Sequence, residues 1–323
     1  MYNILVTGVG AVIGYGIIRS LRKSKFDVNI IGIDIYEDAI GQVWCDKFFK
    51  GILAKDEKFK IFLKQIIEEN KIDLVIPGIE QDLNRIANDF DFLKTLPTKY
   101  AINNPKLIKI FNDKWETYCF FANAGINLIP TFIEGDFDEL KKITCLPMLL
   151  KPKQSYASKG IYKIYNKDDF SYWQKKLGNN FMVQKFIDNE NSEYTISIFG
   201  LGNGNYTNSI TLKRKLGPDG ATAKAEVIFD SEIDNYINSI VKFSKPIGPT
   251  NIQLIKDLGK CFLLEINPRI SSSTSIREHF GINEAEMCIE YYLENKIPEK
   301  KVIKPGKIRR YLEDLITYDS DHC

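Results

Sequence analysis

The chain has 323 residues, 44% hydrophobic and 27% charged, and its 44 basic and 42 acidic side chains nearly cancel to +2. That balance excludes a general nucleic-acid or membrane surface, while the length allows two or three domains around a sizeable core. Six cysteines without CxxC spacing and only two histidines argue against zinc. Dispersed thiols, an N-terminus with no leader pattern and no long apolar run predict a cytoplasmic protein.

In chain order, residues 3–7 read as a short apolar strand closed by Gly8-Val9-Gly10. Gly14-Tyr15-Gly16 opens a helix through Leu21, and a second strand at 29–33 ends on Asp34. Phe59, Phe62, Leu63, Ile66 and Ile67 recur at helical spacing. A strand at 73–77 and a helix from about 81 to 96 follow. Such alternation predicts a parallel sheet covered on both faces, a Rossmann-like domain over residues 1–105. The spacing GxGxxxG with Asp34 downstream keeps an NAD(P)-dependent oxidoreductase as one reading.

After Asn103-Asn104-Pro105 the composition changes. A helix is predicted through 112–124, then strands at 130–132 and 146–151, the latter ending in Lys151. The small-residue loop 154–160 and a strand at 161–165 complete a hairpin whose tip can fold over phosphates, with Lys151 as a point charge. A helix at 167–178 and strands at 181–187, 193–199 and 208–215 come next. Helices are predicted at 231–245 and 276–295, and a last strand at 307–317.

Residues 251–275 alternate on two arms around the turn Asp257-Leu258-Gly259-Lys260. Ile252, Leu254, Leu264 and Ile266 are expected on one face, and Gln253, Glu265 and Asn267 on the other. A three-residue loop at 258–260 would set Gln253 opposite Glu265. Oxygen-bearing side chains on one face, with Arg269 beside them, suit a hard cation and phosphate.

Four signals in this order resemble the ATP-grasp superfamily, in its single-module branch related to carbamoyl-phosphate synthase large-subunit halves and the pyrrolysine-pathway ligase. They are Asp113-Lys114; Lys151-Pro152 with its loop; Gln184-Lys185-Phe186-Ile187 with Glu193; and Gln253 followed by Glu265-Ile266-Asn267-Pro268-Arg269. The resemblance implies an α/β architecture. A Rossmann-like pre-ATP-grasp domain (1–105) would precede a two-subdomain α+β module, with a lid subdomain (106–180) and a large subdomain holding the metal site (181–323).

It further implies that Lys114 and Lys151 contact ATP phosphates, and that a loop with Ser155, Ser158 and Gly160 closes over them. The strand carrying Gln184 and Lys185 would present backbone groups to adenine, with Ile187 against the ring and Glu193 on the ribose. Gln253, Glu265 and Asn267 would ligate Mg²⁺, as two ions, with Mn²⁺ as a possible substitute. Arg269 would stabilise the transferring phosphoryl group, with Lys213 and Lys215 as basic catalytic neighbours. Glu80, Asp82, Ser272 and Arg277 are the expected substrate contacts.

The activity implied is an ATP-dependent carboxylate–amine ligase acting through an acyl phosphate on small-molecule substrates, in a possible homodimer. A carbamoyl-phosphate-synthase-like kinase of bicarbonate or carbamate is the alternative within the fold.

Overall fold

The first hundred residues alternate strand and helix: β1 (Tyr2–Thr7), α1 (Val12–Arg22), β2 (Val28–Asp34), β3 (Lys47–Lys50), α2 (Phe59–Glu69), β4 (Leu74–Pro77), α3 (Glu80–Asn88), α4 (Phe90–Leu93) and β5 (Lys99–Tyr100). In the computed structural model, which describes residues 1–154, 160–178, 180–188, 193–218, 220–311 and 313–316, these strands form a parallel sheet. Its order is β3-β2-β1-β4-β5. Strand β1 is apolar throughout because both of its faces are covered. Ile4 and Val6 enter one core, shared with α1, and Leu5 enters another, shared with α2. The single helix expected at 81–96 is divided at Asp89, and the two edge strands β3 and β5 were not anticipated.

The middle of the chain adds α5 (Pro105–Phe111), α6 (Lys114–Phe121), β6 (Thr131–Phe132), α7 (Phe137–Thr144), β7 (Met148–Pro152), β8 (Tyr162–Ile164), α8 (Lys167–Leu177) and β9 (Phe181–Lys185). These strands make a small antiparallel sheet, β6-β9-β7-β8, over a core that includes Phe137, Leu140, Met148 and Phe170. The strand β9 pairs with β7 and β6, so the small sheet ends beyond the boundary expected at 180.

The remainder supplies β10 (Glu193–Leu201), β11 (Tyr206–Leu216), β12 (Thr222–Ile228), α9 (Ser231–Ser244), β13 (Ile247–Asp257), β14 (Lys260–Asn267), α10 (Thr274–Glu278), α11 (Glu284–Tyr292) and β15 (Lys307–Arg309). They build a six-stranded antiparallel sheet in the order β14-β13-β10-β11-β12-β15. The unexpected β12 lies between β11 and a last strand shorter than predicted. On one sheet face Ile196, Ile198, Ile252 and Leu254 pack against α9 residues such as Ile237 and Val241. Each such buried side chain contributes roughly 1.5–3 kcal/mol.

Alternation sends Glu193, Thr195, Ser197, Asn251 and Gln253 to the opposite face. That face turns toward the first sheet, because α1 packs on α10 and α11. The hydroxyl of Tyr292 donates to the Ile102 carbonyl (3.2 Å), adding a polar tie across the junction. Among the described residues no helix is long and apolar enough to cross a membrane.

Candidate active site

The polar hairpin forms, but by a different local route from the one expected. Asp257 pairs with Lys260, so the loop has two residues, Leu258 and Gly259, both with positive φ (45° and 80°). This is the backbone that primed hairpin turns require. The odd residue needed to oppose Gln253 and Glu265 comes instead from a bulge. Leu254 pairs with Leu263, and the register then shifts so that Gln253 faces Glu265. The side-chain assignment changes with it. Leu263 is buried with Ile252 and Leu254, whereas Leu264 lines the main cavity.

Two arginines organise the oxygen-rich face. Glu265 Oε1 accepts from Asn267 Nδ2 (2.8 Å), and Asn267 Oδ1 accepts from Arg269 Nη2 (3.2 Å). The same Arg269 nitrogen donates to Glu80 Oε2 of α3 (2.9 Å), joining the large sheet to the first domain. Arg214 donates to Glu193 Oε1 through Nε (2.9 Å) and Nη2 (2.5 Å), and to Gln253 Oε1 (2.8 Å).

Arg214 was missed in the sequence because it stands between the two lysines singled out there. Strand alternation puts Arg214 and Leu216 on the cavity lining. Lys213 and Lys215 are therefore corrected to the other face of β11, away from the site. Only the register of β10 on β11, which sets Tyr194 against Lys213, puts Arg214 on the face of Glu193 and Gln253.

Arg277 is also corrected. Its guanidinium is fully buried and donates to Ser271 Oγ (2.9 Å), Thr195 Oγ1 (3.2 Å) and Asn251 Oδ1 (2.5 Å). Glu284 compensates its charge at 3.3 Å. Arg277 thus ties β10 and β13 to the segment carrying Ser271 from behind, and does not reach the cavity. Ser271 and Ser272 do line it.

On the small-sheet wall, Lys151 is buried and donates to Gln184 Oε1 (2.7 Å), while Gln184 Nε2 donates to Thr131 Oγ1 (2.8 Å). Burial first, and then the nearby Lys114 charge, push the Lys151 ammonium down to about 8, against an upward pull from Glu265. Lys114 opens α6, which Asp113 caps by accepting from the N–H groups of Trp115 and Glu116. The Lys114 N–H donates to the Lys153 carbonyl (2.9 Å), which fixes the helix start beside the end of β7.

Part of the 184–187 backbone is already engaged within the protein. Gln184 sits within the sheet between β6 and β7, and the Lys185 N–H is taken by the Pro130 carbonyl. Phe186 and Ile187 follow the end of the strand and line the cavity with Lys185. Ser155 and Ser158 lie outside the described residues. Gly160, at φ +78°, packs close to Pro152 and is not part of the lining.

All three sheets meet at one cavity of about 740 Å³. Lys114, Lys151 and Ile187 face it from the small-sheet side. Glu193, Gln253, Glu265, Asn267 and Arg269 face it from the large sheet, and Glu80 from the first domain. Asp82 does not share this space. It lies buried beside a second cavity, where desolvation pushes its carboxyl up to about 6 despite a hydrogen bond from Thr7.

The glycines of the first domain serve packing. A Cβ on Gly14 would meet the Gly8 carbonyl oxygen at 2.1 Å, and one on Gly78 would meet the Thr7 carbonyl oxygen at 2.2 Å. Asp34, where a ribose-binding acid would stand, accepts instead from the N–H groups of Gly10 (2.8 Å) and Tyr36 (3.1 Å).

The donor set fits a magnesium ion shared with phosphate. Gln253, Glu265 and Asn267 offer hard oxygens, but Glu265 is the one carboxylate among them, so phosphate oxygens would have to complete the shell. No cluster of three His, Cys, Asp or Glu side chains suited to a metal occurs among the described residues. Arg269 Nε is buried without a hydrogen-bond partner among them, as expected of a donor that meets an anion.

Comparison with known proteins adds independent findings. Residues 178–313 match a family described as ATP-grasp in the biosynthetic pathway with Ter operon. An uncharacterized protein of Mycoplasma pneumoniae is 28% identical over 121 residues, which is 37% of this chain and 41% of that relative. The match thus spans less than half of that relative's length. The tyramine–L-glutamate ligase of Methanocaldococcus jannaschii is 22% identical over 291 residues, 88% of this chain and 83% of the relative. Among solved structures, N5-carboxyaminoimidazole synthetase from Staphylococcus aureus complexed with ADP superposes with a TM-score of 0.76 at 19% identity. That alignment covers 96% of this chain and 82% of that one.

Proposed function

We propose that the chain is an ATP-grasp enzyme, an ATP-dependent carboxylate–amine ligase. One observation carries the reading. One cavity gathers Lys114 and Lys151 on one wall and an amide–carboxylate–arginine hairpin on the other. We assign residues 1–105 as the pre-ATP-grasp part, the small sheet as the phosphate lid and the large sheet as the floor. Relatives bearing ligase names support the reaction class, since the tyramine–glutamate ligase couples an amine to an amino acid.

In this reading Ile187 and Leu264 flank the adenine, and Arg214 orients the Glu193 carboxylate toward the ribose hydroxyls. Gln184 holds the Lys151 ammonium in place, so that it meets phosphate without reorganising. Lys114 adds a second positive charge. Gln253, Glu265 and Asn267 would hold Mg²⁺, as two ions, and Mn²⁺ would serve with the same donors. The metal, when bound, neutralises phosphate charge and aligns the nucleotide with the acceptor.

The reaction asks for positioning more than covalent help. A substrate carboxylate oxygen attacks the γ-phosphorus, ADP leaves, and an acyl phosphate forms. An amine then attacks the acyl carbon and expels phosphate, giving the amide. Arg269 must exchange its Glu80 partner for the anionic phosphoryl or acyl phosphate, toward which its buried Nε is available.

The test is release of ADP and phosphate that requires Mg²⁺, a carboxylic acid and an amine together. Glu265→Ala should reduce that turnover by about 10²–10³-fold, the usual loss when an electrostatic contact to the transition state is removed. Full turnover in Glu265→Ala would refute the site, and ADP release driven by bicarbonate alone would point to carboxyphosphate chemistry instead.

A further inference from the structure

The second cavity, about 400 Å³, opens at the carboxyl ends of β1, β2 and β4. That is where parallel sheets place ligands, and the volume falls within the range of small-molecule sites. Its walls are mainly apolar, with Ile33, Ile52, Leu53, Phe59 and Ile79 on the lining. Against them stands Asp82, a carboxylate only 6% exposed whose hydrogen-bond partner is the neutral Thr7 hydroxyl. Asp34 adds negative charge nearby while its oxygens hold backbone N–H groups, and Lys55 brings one positive charge to the same lining.

Two features connect this cavity with the main one. Ile79 and Gln81 line both, so a single layer of residues separates them. Asp82 and Glu80 share the first turn of α3, one facing each cavity. A molecule seated in the second cavity therefore has its polar end within one helical turn of the Glu80–Arg269 pair.

We propose that this cavity is the amine-substrate site, and that it takes a primary amine with an apolar body whose ammonium meets Asp82. The proposal rests on the ligase reading and adds its substrate class. Apolar walls recover the hydrophobic contribution of the body, and a buried carboxylate selects a cation over a neutral group or an acid. The ammonium binds first at Asp82; for reaction the amino group, freed of its proton, must move past Gln81 toward Glu80 while the body stays in the second cavity. Leu53, half exposed at the mouth, gives a way to fill the cavity without disturbing the core.

The experiment is calorimetric titration of the full chain with 2-phenylethylamine at pH 7.5, without nucleotide. Separate titrations use 2-phenylethanol, 3-phenylpropionate and Mg–ADP. Saturable amine binding is expected, at least tenfold tighter than that of the alcohol and with no binding of the acid. Asp82→Asn should weaken the amine at least tenfold and Leu53→Trp should abolish its binding, with Mg–ADP binding retained in both variants. Equal binding of amine and alcohol, unchanged amine binding in Leu53→Trp, or no amine binding at millimolar concentration would overturn the proposal. Wild-type protein that binds the amine but not Mg–ADP would overturn the ligase reading rather than the cavity assignment.

Discussion

On the small-sheet wall Lys151 is held by the neutral amide of Gln184, whereas on the large-sheet wall Arg214 and Arg269 are each held by a carboxylate, Glu193 and Glu80. The two arrangements handle charge differently. A buried ammonium with a neutral partner keeps its demand for an anion, at the expense of its own ionisation. A guanidinium paired with a carboxylate is already compensated, and a ligand must exchange partners with it. One wall is therefore set to attract phosphate, and the other to hold geometry until the nucleotide and the acceptor rearrange it.

The largest expected effect breaks the compensated wall. Arg214→Met removes the guanidinium that donates twice to the buried Glu193 carboxylate and should destabilise the fold by about 3–5 kcal/mol in denaturant titration. Arg214→Met combined with Glu193→Gln should recover most of that loss, because both charges of the buried pair are then removed together. If the single variant melts like the wild type, the Arg214–Glu193 tie is not the organising contact described here.

On the other wall, Lys151→Met should weaken Mg–ADP binding by about 10²-fold, in the range of one charge-assisted contact to phosphate, with little loss of folding stability. Binding and thermal midpoint measured on one preparation separate the two effects. The same lysine predicts a pH dependence with a definite sign. Its protonated form binds phosphate, and burial lowers its value to about 8. Mg–ADP affinity should thus be level below pH 8 and fall above it, by up to about tenfold per pH unit. The break should vanish in Lys151→Met. An unchanged profile in that variant would assign the titration elsewhere.

The smallest effect concerns the hairpin itself. Leu258 is 95% exposed at φ 45°, a left-handed conformation that a leucine tolerates poorly. Leu258→Asn should raise stability by about 0.5–1 kcal/mol and leave turnover unchanged, since the bulge near Leu264, not the tip, sets Gln253 against Glu265. A change in turnover would show that the tip helps to set the register.

Much of this molecule is readable along the chain. Strand–helix alternation with apolar runs such as Ile4-Leu5-Val6 identifies the parallel sheet, because burial on both faces leaves a local mark. The order of Lys114, Lys151, Glu193 and the Gln253–Arg269 hairpin is likewise a linear property, and it carries the resemblance to the ATP-grasp superfamily. The short strands β3 and β5 are too brief to carry a period, and β12 went unread as well.

The partners needed three dimensions. Arg214 is distinguished from Lys213 and Lys215 only by the face of β11 it occupies. Arg277 looks like an available cation until Glu284 and Asn251 close around it. Asp82 and Glu80 stand two residues apart yet face different cavities, because two steps along a helix turn a side chain by about 200°. Periodicity and motif order are local or collinear, and so they survive in a sequence. Ion pairing, desolvation and access to a cavity depend on neighbours distant in the chain, and only the packed sheets decide them.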